Sequence, residues 1–376
     1  MSSPARSRAR RAVPAPSGPT VAVTGAASAL GALVTERLVA RVGAEVGRVL
    51  AVDTVRGAAT GATWRVGALD TPAVADLLRG ADVVVLLAPA VDLQSTLTTP
   101  VAERREHIVR RAQAVTTGAA AVGARRLVAV TSAMVLISSD ISSDPGPTPL
   151  PDDAPVLALS DAGVVGDLVE VEQVLARVPR AHPGLAVTVL RPAALVGPDV
   201  DTVVSRHFEA PRLLALRGSE MTWQFCHVDD LAEAVAVAVA AELDGSLTVG
   251  APGAMSQAQI ETLSGMRRVE LTQAMAFSTA ERLHRIGVLP APASDLAYVV
   301  RPWVVCSQRL VDAGWSPTYD NQTCLGVLLD QVGGHHAVAS RRLDRKDAAL
   351  GAAGAAVALV GTAAIVRRRR RRDAGS

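Results

Sequence analysis

Residues 20–53, TVAVTGAASALGALVTERLVARVGAEVGRVLAVD, constrain the fold more than any other stretch of the chain. Val21, Ala22 and Val23 make a short apolar run suited to a buried strand, and Thr24-Gly25 turns the chain sharply. Leu30, Leu33, Val34 and Leu38 follow at helical spacing, and a β-branched run from Val49 to Val52 ends in Asp53. Strand, glycine turn, helix, strand, acid is the order of a βαβ nucleotide-binding unit. Glycine lets the backbone approach a diphosphate resting on the free N–H groups of a helix N-terminus. An acid about 20 residues further on accepts ribose hydroxyls. An ordinary strand–turn–helix of another α/β protein is the alternative for this stretch taken alone.

The rest of the chain repeats the alternation. DVVVLLAP at 82–89 and RLVAVTS at 126–132 lack polar alternation, as strands buried on both faces do. Between them, 100–122 reads as a long helix with Val101, Ile108 and Val115 inward and its paired charges outward. A helix over 164–177, strands over 185–192 and 222–228, and an alanine/valine helix capped by Asp229 or Asp230 follow. The pattern predicts an α/β chain with a Rossmann-type doubly wound parallel sheet over 20–245 and a smaller mixed C-terminal lobe over 246–332. Residues 185–245 contribute in part to that lobe. The Ser-, Asp- and Pro-rich stretch 133–160 reads as a long functional or mobile loop.

Charge separates the ends from the body. Of a net +2, the arm 1–19 carries +4 and the chain from 341 onward +7, leaving −9 on residues 20–340. An acidic body with 2% aromatic residues excludes a specific nucleic-acid binder. The arm 1–19 reads as disordered, and its Pro, Ser and Ala do not form the apolar core of a secretory signal. Cys226, Cys306 and Cys324 are widely spaced, as in a reducing compartment without a disulfide framework. A linker at 333–347 leads to 348–366, uncharged for 19 positions, and then to the arginine-rich tail 367–376. That length just spans a bilayer, but the Ala/Gly content is marginal and the arginines would hold the tail in the cytoplasm. A transmembrane span, a helix lying on anionic lipid and a soluble tail are the three readings. The expected location is the cytoplasm, with membrane association through 348–372. Oligomeric state is not legible.

Four stretches in register resemble the extended short-chain dehydrogenase/reductase family, the NAD-dependent epimerases and dehydratases of nucleotide sugars. Thr24 to Gly31 resembles that family's T-G-x-x-G-x-x-G, with Ser28 at the middle glycine, where its hydroxyl can donate to phosphate. LRPAALVGPDVD at 190–201, FCHVDDLAEAV at 225–235 and DAGWSPTYDNQTCLGVLLD at 312–330 are similar to three later family segments. The resemblance covers about Thr20 to Val332. It implies an NAD site in which Gly25, Ser28, Ala29, Leu30 and Gly31 cradle the diphosphate and Asp53 holds the adenosine ribose. It also places Leu69 near adenine, Leu87, Ala88 and Pro89 beside the cofactor, and Pro192 under the nicotinamide. Core packing is the competing role of Leu69 and Leu87. Asp53 favours NAD over NADP, with Arg56 nearby as the residue that could admit a 2′-phosphate.

The family's proton relay is a Ser/Thr with Y-x-x-x-K, the tyrosine acting as base and the lysine lowering its pKa. TSAMVL at 131–136 places the serine at Ser132, and anchoring the following helix on Glu172 places Val164 at the tyrosine and Leu168 at the lysine. No alignment shift restores the dyad, because the only tyrosines are Tyr298 and Tyr319 and the only lysine is Lys346. Arginine does not replace lysine in such a relay. Asp161, Asp167 and Glu170 are the carboxylates that could serve as base, against the plainer role of a solvated helix face. The expectation is an NAD-binding protein of epimerase/dehydratase type with a degenerate active site, a pseudoenzyme by residue content, with a nucleotide-sugar-like ligand. A non-catalytic dinucleotide sensor or scaffold at the membrane, and a tail-anchored protein with an empty cleft, are the alternatives. No metal site is expected: His335-His336 lacks a third ligand, and His227 with Asp229 is explained by capping.

Overall fold

The apolar run after Pro19 becomes β1 (Thr20–Thr24), followed by α1 (Ala29–Ala40), β2 (Arg48–Asp53), β3 (Thr63–Val66), α2 (Val74–Leu78) and β4 (Val83–Leu87). Next come α3 (Leu93–Thr98), α4 (Val101–Ala121), β5 (Arg126–Val130), α5 (Val164–Ala181) and β6 (Ala186–Pro192). The chain continues through β7 (Ala194–Val196), α6 (Val203–Glu209), β8 (Leu213–Leu216), β9 (Thr222–Trp223), β10 (Phe225–His227), α7 (Val228–Ala240) and β11 (Gly245–Val249). The computed structural model describes residues 18–88, 92–138, 149–286 and 291–333, with Asp140, Leu289 and two short strands at 336–338 and 341–343. Most of the basic arm, Pro89, the linker's remainder and the whole of 348–376 lie outside the described residues.

Seven strands form one parallel sheet in the order β3-β2-β1-β4-β5-β6-β11. The order reverses between β1 and β4, and ligands of doubly wound sheets sit outside the carboxyl ends of the strands at that point. The uninterrupted apolar strands follow from helices on both faces. Val21, Val23, Val85 and Val130 pack with Leu30, Val34 and Leu38 of α1 and with Leu231 and Val235 of α7. Ala22, Val84, Leu86 and Leu127 pack with Leu78 of α2, Val115 of α4 and Leu175 of α5. The sheet is Rossmann-type and doubly wound, as its sequence pattern predicts.

The smaller region is built from short pairings. β7 lies parallel to β10, β9 antiparallel to Met255–Ser256, and β8 parallel to Arg268–Leu271. The expected single strand at 222–228 is two, broken at Gln224. That side chain turns inward, donates to the carbonyls of Ala251 and Val305, and accepts from the Val305 amide at 2.7 Å. A buried amide with three partners outweighs one more ladder residue.

Two further expectations are corrected. Val101 is 38% exposed rather than inward, because the buried face of α4 is confined to its second half, from Ala112 to Ala119. His227, not Asp229 or Asp230, caps α7: its Nδ1 accepts from the Asp229 amide at 3.2 Å. Asp230 instead reaches across to the far end of the chain. Its carboxylate accepts from the amides of Thr318 and Tyr319 at 2.8 and 3.0 Å, and its carbonyl from Trp315 Nε1. Tyr319 stacks on His227 with ring centroids 3.7 Å apart. FCHVDDLAEAV and DAGWSPTYD are thus two halves of one contact.

Candidate functional site

The site begins at the carboxyl end of β1. Gly25 has φ +80°, and its amide donates to the Val52 carbonyl, tying the turn to β2. A Cβ on Gly31 would lie 2.0 Å from the Gly25 carbonyl oxygen, so only glycine lets α1 start this close to the turn. The first i→i−4 bond of α1 runs from Ala32 to Ser28, which leaves the amides of Ala29 and Leu30 at the helix's positive end. Ser28 is the N-cap: its Oγ accepts from the Gly31 amide at 3.0 Å and donates to the Gly25 carbonyl at 2.8 Å. Its hydroxyl proton is engaged within the turn.

Asp53 ends β2 at the rim. One carboxylate oxygen accepts from the Ala27 amide at 2.8 Å and the other from the Thr54 amide at 2.7 Å. Both oxygens keep lone pairs for a sugar hydroxyl. Leu69 is 4% exposed within the core on the α2/α4 side, where packing is its evident role. Pro192 is buried where β6 ends beside Val249.

Between β4, α4 and α5 lies a cavity of about 460 Å³ lined by Leu87, Ala88, Arg111, Val164, Asp167 and Leu168. The dyad positions assigned to Val164 and Leu168 thus face the same space as the carboxyl end of β4. Ser132 closes β5 and caps the 3-10 turn Ala133–Leu136, its side chain accepting from the Met134 amide at 3.2 Å. Beneath, Thr131 donates to Glu172 at 2.7 Å, and Glu172 is paired through both oxygens with Arg191 at 3.0 and 2.7 Å. This buried network fixes α5, and with it Val164 and Leu168, against β5 and β6.

The three candidate bases are placed unlike one another. Asp167 is 3% exposed rather than on a solvated face, with its two oxygens engaged by Arg104 and Arg105. Asp161 accepts from the Gly163 amide at 2.9 Å, and Glu170 accepts from the Ser160 hydroxyl at the surface. Two groups were not anticipated. Asp295 lies buried at the start of α5, where a Cβ on Gly163 would touch its Oδ1. Burial first, then the charge of Asp161, pushes its pKa up to about 8, with Arg104 opposing. Arg111, whose charge was expected outward, turns inward from α4 to the glycine turn. An Asp residue in a short Pro-flanked turn carries no sequence signal of this kind, and arginine's long apolar stem hides which way its head points.

Among the described residues no three His, Cys, Asp or Glu side chains gather to hold a metal ion, and no helix is long and apolar enough to cross a membrane. His335 and the uncharged segment 348–366 are outside those residues.

No family model matches the chain. Over 97 residues it is 31% identical to an uncharacterized protein of Mycobacterium tuberculosis, and equally to one of Mycobacterium bovis. The match spans 26% of this chain and 26% of the length of those relatives. Solved structures align over far more. The UDP-glucose 4-epimerase of Thermus thermophilus in complex with NAD superposes with a TM-score of 0.60 at 18% identity, covering 84% of this chain and 99% of that one. The dTDP-glucose 4,6-dehydratase DesIV of Streptomyces venezuelae gives 0.59 at 16%, covering 83% and 96%. MoeE5 in complex with UDP-glucuronic acid and NAD gives 0.59 at 20%, covering 83% and 98%. The chain shares the fold of these three proteins.

Proposed function

We propose that this protein binds NAD across the carboxyl ends of β1 and β4, as a relative of the nucleotide-sugar epimerases and dehydratases whose Tyr/Lys relay is replaced by Val164 and Leu168. The carrying observation is the Gly25 turn opening α1 onto the crevice between β1 and β4, with Asp53 anchored at its rim. The cleft suits the dinucleotide: Gly25 and Gly31 let the backbone come close, Ala29 and Leu30 offer free helix amides, and Asp53 a ribose acceptor. A carboxylate there disfavours a 2′-phosphate, which supports NAD over NADP. Ser28 contributes by holding the turn, and Leu87 and Ala88 by walling the cavity. Bound nicotinamide would supply a hydride acceptor. The cavity beside it would take a nucleotide-sugar-like molecule, the class of ligand carried by MoeE5 in the aligned complexes.

A second reading, that of a non-catalytic dinucleotide sensor or scaffold, draws support from the side chains of α5. Val164 and Leu168 carry no proton, and the oxygens of Asp167 are occupied by two guanidinium groups. Ser132 then serves as a strand-end hydrogen bonder. Cytoplasmic residence, with membrane association through 348–372, remains part of the proposal on the strength of the uncharged run and its six following arginines.

Calorimetric titration of the full chain with NAD tests the cofactor, and absence of binding overturns it. Incubation with NAD and a panel of UDP- and dTDP-sugars then separates the readings. NADH formation or epimer interconversion supports an enzyme; tight NAD binding with no turnover supports the sensor.

A further inference from the structure

The strongest unexplained group in the fold is Arg111. It projects from α4 onto the glycine turn: a Cβ on Gly25 would lie 2.5 Å from Arg111 Nη2 and 3.9 Å from the Leu87 Cβ. Its Nε and Nη2 are buried, and among the described residues neither meets a hydrogen-bond acceptor. Burial lowers its pKa, while the more distant carboxylates of Asp53 and Asp70 pull the other way. No ion pair to Arg111 forms among the described residues, although its neighbours on α4, Arg104 and Arg105, are both paired.

A buried guanidinium with unused donors is costly unless an anion completes it. Its planar fork matches the oxygens of phosphate in a way that a point charge does not. The turn at Gly25 leads within four residues into α1, a helix of 12 residues whose first amides, those of Ala29 and Leu30, have no intrahelical acceptor. The Ser28 hydroxyl is already engaged by the Gly25 carbonyl and the Gly31 amide. The turn therefore presents few donors of its own, and the unspent ones sit on α4.

We infer that Arg111 is the counter-charge of a bound diphosphate, held between the N-terminus of α1 on one side and the Arg111 guanidinium on the other. The inference rests on the NAD reading and names the side chain that anchors the cofactor's diphosphate in this chain. It explains why an arginine is tolerated against Gly25, at a site where a smaller side chain would pack without desolvating a charge.

The test is calorimetric titration of the full-length protein, wild type and Arg111→Gln, with NAD, ADP, inorganic pyrophosphate and adenosine at 50 and 200 mM NaCl. Arg111→Gln should weaken NAD and ADP at least ten-fold, change adenosine less than two-fold, and flatten the salt dependence of NAD binding. Arg111→Lys, which keeps the charge and loses the fork, should fall between. Arg111→Gln should also melt no lower than wild type in the absence of ligand, since it removes an unpaired buried charge. Equal or tighter NAD binding by Arg111→Gln overturns the inference and makes Arg111 a plug, while leaving the cofactor reading intact. If wild type ignores NAD yet binds ADP or pyrophosphate through Arg111, the inference stands and the cofactor reading falls. If wild type binds none of the three phosphate compounds, the inference is overturned.

Discussion

The Glu172–Arg191 pair offers the sharpest test of how the site is held. Both side chains are more than nine-tenths buried, and the carboxylate takes two hydrogen bonds from Arg191 and one from Thr131. Arg191 spends its remaining Nη1 donor on the Ala154 carbonyl at 3.0 Å. Glu172→Leu removes three charge-assisted or neutral hydrogen bonds and strands a guanidinium in a dry interior. Breaking one side of a buried pair costs about 3–5 kcal/mol, a large share of the roughly 5–15 kcal/mol that holds a domain together. Replacing both partners should cost far less, because a buried pair nets little against apolar groups of similar volume. Urea denaturation followed by tryptophan fluorescence should show Glu172→Leu shifted to a much lower midpoint, and Glu172→Leu with Arg191→Met recovering most of the loss. A single variant within about 1 kcal/mol of wild type, or a double variant no better than the single, would refute the claim that this pair is a desolvated unit.

His207 stacks on Trp223 with its Nε2 buried, and desolvation lowers its pKa to about 4 from 6.5. Unfolding then takes up a proton between those values, so stability should fall as pH drops from about 6.5 to about 4; His207→Phe should flatten that slope in pH-dependent melts. Asp295, raised from 3.8 to about 8, works in the opposite sense. The folded state keeps a proton that the unfolded state releases, so its contribution is present at low pH and declines as pH rises through that window. Asp295→Asn should match wild type near pH 4 and melt higher at pH 8. Gly31→Ala drives a Cβ into the Gly25 carbonyl; it should destabilise by about 1–3 kcal/mol and weaken NAD binding, both read from one thermal-shift series with and without NAD.

The sheet was legible because its strands carry one unmistakable signal. Val83–Leu87 and residues 127–130 are apolar without alternation, and only a sheet covered on both faces makes that sequence stable. The glycine turn and Asp53 were legible for the same reason, each being a local device whose residues are neighbours in sequence. The failures share a physical cause too. Asp167 looked solvated because its partners Arg104 and Arg105 stand 62–63 residues away. Arg111 looked outward because helical periodicity reports polarity, and a guanidinium on a long stem can serve either face. Asp229 and Asp230 looked like caps because acids usually are. What displaced them was His227, together with an appointment of Asp230 with residues nearly 90 positions later.

That appointment has a consequence in time. Asp230 closes onto Thr318 and Tyr319 across 88–89 residues, and Trp315 docks on its carbonyl. At synthesis rates of about 5–20 residues per second, roughly 4–18 s separate the emergence of Asp230 from that of its partners. During that interval the Asp230 carboxylate lacks its native partners, although α1, on which α7 packs in the folded structure, has already been synthesised. The cleft proposed for the dinucleotide is assembled largely from the first hundred or so residues, but the last clasp on the helix behind it comes from near the chain's end.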